Sequence, residues 1–101
     1  MAIELDHLII PAHDKIASAK LLAELLDVRW SPTGTGPFAP VFVNDGLTID
    51  FDTWPAPIPL THYCFRVSQP EFDAILGRMH RCTFRQSEID AVILLAIGHG
   101  A

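Results

Sequence analysis

The chain has 101 residues, half of them hydrophobic. That is enough for one domain with a modest core, since a chain of this size buries only about 60 to 65% of its unfolded surface. Twelve acidic residues against seven basic give a net charge of -5, and the basic residues form no stripe, which argues against a nucleic-acid partner. The start, MAIELDH, is acidic where a secretory leader is basic. The longest apolar run, AVILLAI, falls far short of the roughly 18 residues of a membrane span. A soluble, cytoplasmic protein with no membrane partner is therefore expected. Cys64 and Cys82 allow at most one disulfide and lack the close spacing of zinc or redox pairs, so both are expected to be small buried thiols.

In chain order, residues 3–10, IELDHLII, are a β-branched and aliphatic run ended by Pro11, which predicts a strand. Asp14 is the expected N-cap of KIASAKLLAELLD, in which Ile16, Ala19, Leu22, Ala23 and Leu26 recur at helical spacing. VRW reads as a short strand before SPTGTGP, a loop whose Pro and Gly residues force turns. FAPVFVNDGLTIDFDTW predicts two strands joined at Asn44, Asp45 and Gly46, residues that tolerate the positive φ of a tight hairpin.

PAPIPL follows, a proline linker that stays extended. Then THYCFRVS predicts another strand. Ser68, Gln69 and Pro70 introduce a helix over EFDAILGRMHR, with Phe72, Ile75, Leu76 and Met79 on one face. The final CTFRQSEIDAVILLAIGHGA reads as either strand or helix, because a short apolar run does not separate them by periodicity. The order predicts a single α+β domain made of a first unit at 1–54, a linker at 55–60 and a partial second unit at 61–101.

Alternation splits each strand into two faces. On the hairpin's second strand Leu47, Ile49 and Phe51 oppose Thr48, Asp50 and Asp52; on the later strand Tyr63, Phe65 and Val67 oppose His62, Cys64 and Arg66. One face of each suits cover by a helix. The other carries titratable groups and suits a cavity wall. His7 shares its face with Ile3, Leu5 and Ile9, which predicts a dry imidazole in need of a partner. Two readings stand. His7, His62 and Asp50 converge on one divalent metal as a two-histidine, one-carboxylate triad; or His7 is a core histidine bonded to a carbonyl, with Asp50, Asp52 and Arg66 pairing on a solvated face. His13 is expected to be solvated, His80 to suit a helix C-terminus and His99 to belong to a tail. Trp30, Phe42 and Trp54 are expected to serve as core before pocket wall.

With LDHLIIP, a capped helix, a hairpin in GPFAPVFVNDGLTIDF and a second histidine-bearing strand in HYCFRVSQPEFDAIL, the chain resembles the vicinal oxygen chelate superfamily over residues 3–80. That group holds glyoxalase I, bleomycin resistance proteins and extradiol dioxygenases. The resemblance implies a βαβββ module plus an incomplete second one, in a curved mixed sheet with helices on its outer face. It implies His7 and His62 as metal ligands, Asp50 as ligand or catalytic base, and a divalent Fe, Mn, Ni or Zn ion. Phe42, Thr48, Asp52, Cys64 and Arg66 are the expected substrate contacts.

The family's closing hairpin, with its ligand glutamate, has no counterpart in residues 82–101, so the second module is about two strands short. An open edge of that kind predicts a homodimer, with AVILLAI at the new edge. Two functions follow: a metal-dependent glyoxalase- or dioxygenase-like enzyme acting on a small molecule with adjacent oxygens, or a metal-free protein that sequesters an aromatic or cationic small molecule in the same cup.

Overall fold

The computed structural model describes residues 3–59, 62–81, 94–95 and 98–99. Strand β1 (His7–Ala12) leads into helix α1 (Lys15–Leu26), followed by β2 (Arg29–Trp30), β3 (Ala39–Asn44) and β4 (Leu47–Thr53). These four strands form one mixed sheet in the order β1-β4-β3-β2, parallel between β1 and β4 and antiparallel elsewhere. The βαβββ module expected for the first unit is therefore present, in an α+β fold.

Asp14 starts α1 as its spacing predicts: its Oδ1 accepts the N–H groups of Ile16 and Ala17, both at 3.1 Å, which satisfies two of the helix's orphan donors. The helix ends at Asp27, in the left-handed region at φ 56°, with its N–H bonded to the Ala23 carbonyl. Between these caps Ala19, Leu22 and Ala23 pack on Ile10, Ala12, Ala39, Val41, Ile49 and Phe51, all buried. Alanines on both sides of this contact let helix and sheet approach closely. Phe51, fully buried, contributes roughly 2 to 3 kcal/mol through its apolar area alone.

Three local expectations are corrected. The first strand starts at His7 and not at Ile3, and it continues through Pro11 to Ala12. Pro11 is tolerated because β1 is the sheet's edge, where a missing donor costs no ladder bond. The hairpin turn uses no positive φ at Asn44, Asp45 or Gly46; Asn44 Oδ1 accepts the Gly46 N–H at 2.8 Å, and the register slips between Phe42 and Asn44. The predicted strand over THYCFRVS is split into β5 (His62–Tyr63) and β6 (Arg66–Val67).

Residues 55–59 carry no helix or strand, with bends at Pro55 and Ala56. Helix α2 (Gln69–Arg81) follows β6 and opens on a reciprocal cap: the Ser68 N–H donates to Glu71 Oε1 at 3.0 Å and the Glu71 N–H to Ser68 Oγ at 3.3 Å. Its Ile75 is buried, and Arg78 donates to the Leu25 carbonyl at the end of α1 at 2.9 Å. Tyr63 and Phe65 pack against the first unit's core, the helix-facing side that alternation assigns them. Two further short strands, β7 (Leu94–Leu95) and β8 (Gly98–His99), pair in parallel with β5 and β6. The rest of AVILLAI, Cys82 and Glu88 lie outside the described residues. No helix among the described residues is long and apolar enough to cross a membrane.

Candidate functional site

Helix α1 covers the sheet face carrying Leu8, Ile10, Ala12, Val41, Ile49 and Phe51, so the opposite face is open. On it the register makes one row across all four strands: His7 opposite Thr48, Thr48 opposite Phe42, and Phe42 opposite Arg29. A second row runs through Ile9, Asp50 and Pro40. His7 and Asp50 are thus diagonal neighbours on adjacent parallel strands.

This face floors a trough of about 650 Å³ lined by Asp6, His7, Phe42, Thr48 and Asp50 and walled by Ser31, Thr33, Gly34, Thr35, Phe38 and Pro40. The wall is the SPTGTGP loop, which composition identifies only as a turn region. Its hydroxyls had a signal, three Ser/Thr residues in a loop between strands, and loops are where binding groups concentrate. Lys15, at the start of α1, anchors this loop by donating its Nζ to the Pro37 carbonyl.

His7 is not dry. Its side chain is 59% exposed; Ile9 on the same face of β1 is exposed too, as are Ile3 and Leu5 before the strand. Periodicity assigns His7 a face correctly but does not say which face the helix takes. The imidazole's partner is its neighbour: His7 Nδ1 lies 2.8 Å from Asp6 Oδ2. That hydrogen bond, opposed by desolvation and helped by the fields of Asp6 and Asp50, raises the His7 pKa above its ordinary value. Asp50, half-buried, is held above the usual carboxylate range by desolvation, with the His7 charge pulling the other way.

This arrangement suits a metal ligand. A ligating histidine characteristically commits one ring nitrogen to a carboxylate, which fixes the ring and frees the other nitrogen. Asp6 does this for His7 Nδ1 and leaves Nε2 available. Imidazole plus carboxylate suits Fe, Mn, Ni or Zn. Among the described residues no group of three such donors is assembled, so His7 and Asp50 are a pair that needs a further ligand. The His62 side chain lies outside the described residues.

The other expected site residues separate. Phe42 and Thr48 join His7 and Asp50 in the trough, and Phe42 is 38% exposed, a wall and not core. Trp54 is also exposed at the surface, at 43%, whereas Trp30 packs against the core. Asp52 follows Asp50 on the same face, opposite Pro11. Cys64 and Arg66 line a different cavity of about 360 Å³, with Leu26, Val43 and Ile75. Cys64 is exposed, correcting the expectation of a buried thiol: it lies in the break between β5 and β6, where its neighbours Tyr63 and Phe65 take the inward positions.

No protein-family profile matches the chain, and no curated protein does. Solved structures do. Oxidase ChaP-H2 superposes with a TM-score of 0.75 at 42% identity, over 80% of this chain and 63% of its own. Oxidase ChaP-H1 gives 0.72 at 40% identity, over 79% of this chain and 64% of its own. A possible glyoxalase from Bacillus cereus gives 0.57 at 26% identity, over 79% and 74%. A fosfomycin resistance protein, FosX from Listeria monocytogenes, shares the fold alone, with a TM-score of 0.62 at 18% identity. The chain belongs to the vicinal oxygen chelate superfamily. It spans less than two thirds of the length of the two oxidases.

Proposed function

We propose that this protein is a divalent-metal-dependent enzyme acting on a small molecule with adjacent oxygens, in the manner of the oxidases and glyoxalases it resembles. The observation that carries this reading is the juxtaposition of His7 and Asp50 on the trough floor, with Asp6 holding the far nitrogen of the imidazole. His7 and Asp50 would hold the ion, with His62 as the further ligand. A bound ion supplies Lewis acidity toward oxygens of the substrate. Phe42 and Thr48 would line the substrate's side of the trough, and Asp50 is the candidate general base where it is not a ligand. Asp52 remains a candidate contact at the margin of the site, whereas Cys64 and Arg66 line the separate cavity beside Leu26 and Ile75.

A homodimer in the cytoplasm belongs to the same proposal. Its support is the β1 edge, which has no partner strand among the described residues, and the exposed Ile3, Leu5 and Ile9 beside it, which a second copy would cover. Light scattering at micromolar concentration tests this, and a monomer would count against it.

The alternative is metal-free sequestration of a small molecule in the same trough, favoured by the presence of only two assembled donors among the described residues. Metal analysis of untagged protein separates the two. Retained metal that drops at least tenfold in His7→Ala and in Asp50→Asn supports the enzyme. Equal metal in wild type and variants leaves sequestration.

A further inference from the structure

The trough is electrically lopsided. Asp6 and Asp50 line it near His7, and Arg29 on β2, at the far end of the same register row, does not line it but borders it through Phe42. The guanidinium carbon of Arg29 lies 5.6 Å from the centroid of the Phe42 ring, and Phe42 lines the trough. Ser31, two residues on, lines it as well.

Among the described residues the Arg29 guanidinium meets no carboxylate, although the chain has twelve acidic side chains against seven basic. The ring meets the face of the cation and leaves its five in-plane N–H donors to water, since Arg29 is exposed; an anionic acceptor would exchange with that water. Stacking also holds the fork in place, so less side-chain entropy is lost when a ligand binds it.

We propose that Arg29, with Phe42, is the anion anchor of this trough, and that its ligand carries a carboxylate on a flat apolar group. The two oxygens of a carboxylate match the guanidinium fork, and a flat group beside it lies along Phe42. Three strand spacings of about 4.8 Å put the Arg29 and His7 backbones roughly 14 Å apart. That exceeds a Debye length of about 8 Å at physiological salt, so contact attraction at Arg29 outweighs screened repulsion from Asp6 and Asp50. The same asymmetry orients the ligand, carboxylate toward β2 and its other end toward His7. Arg29 is thereby a specificity-determining residue. The inference rests on the trough as the ligand site proposed above, and not on a metal being bound there.

The test compares 2-naphthoate with its neutral amide, 2-naphthamide, on metal-stripped full-length protein, reading affinity and location from amide shifts around Arg29 and Phe42. Wild type is expected to bind the carboxylate about three- to tenfold more tightly than the amide, a ratio that shrinks at high salt. Arg29→Gln should bring the ratio to about one with the amide's affinity unchanged, and Arg29→Lys should restore part of it. Circular dichroism of both variants verifies that they fold. Equal binding of the two probes to wild type, a preference undiminished in Arg29→Gln, or no binding of either at millimolar concentration would each overturn the assignment. Because the metal is removed beforehand, failure of the metal site leaves this outcome readable.

Discussion

Asp50 sits two residues along β4 from Thr48, the residue opposite His7, on the face that α1 leaves open. The two side chains influence each other's ionisation: the Asp50 carboxylate helps raise the His7 pKa, and the His7 charge restrains the rise that desolvation imposes on Asp50.

The larger cause at His7 is the hydrogen bond to Asp6, which fixes the sign of its pH dependence. A raised folded-state pKa means that the stabilisation from charged His7 is complete below the ordinary histidine value and fades as pH rises through the raised one. Asp6→Asn should lower the His7 pKa, followed by proton NMR of the imidazole in metal-free protein. An unmoved titration would show that Asp6 is not the controlling partner.

Phe51 is the largest fully buried side chain among the described residues and sits between helix and sheet. Phe51→Ala should cost about 3 to 5 kcal/mol, much of the 5 to 15 kcal/mol that typically separates folded from unfolded domains. Urea unfolding would register this as a midpoint drop large enough to leave the variant partly unfolded in buffer.

Ser18 is buried on α1, and its Oγ has no hydrogen-bond partner among the described residues. Alanine removes the buried hydroxyl and is the better helix former, so Ser18→Ala should stabilise by up to about 1 kcal/mol. A rise of several degrees in Tm is expected; a fall would reveal a partner for the hydroxyl.

Arg78 ties α2 to the end of α1 through the Leu25 carbonyl at 2.9 Å, with the Asp27 carboxylate 3.8 Å away. With Ile75 the one buried side chain of α2, this tie holds a substantial share of the helix's attachment. Arg78→Met should speed amide exchange in α2 while leaving α1 and β4 protected. Uniform acceleration would mean that the two units open together.

Much of the first unit was legible because its signals are local. Asp14 precedes a run with helical spacing, and Asn44-Asp45-Gly46 separates two alternating runs. Ser68 is legible as a helix start, and its bond with Glu71 is spelled in the same four residues. What alternation lacks is the third dimension: it puts His7, Ile3, Leu5 and Ile9 on one side without saying that α1 takes the other. Edge position is equally invisible, so Pro11 reads as a stop when it is an edge residue. The trough's wall and the Arg29–Phe42 stack arise from strand order, which places β2 beside β3 and aligns four strands into one row.

Paramagnetic broadening by substoichiometric Mn²⁺ is the sharpest probe of a divalent ion at His7 and Asp50. The amide signals of residues 6–8 and 48–50 are expected to vanish first in wild type and to survive in His7→Ala. Broadening that starts elsewhere, or that is unchanged in the variant, would contradict it.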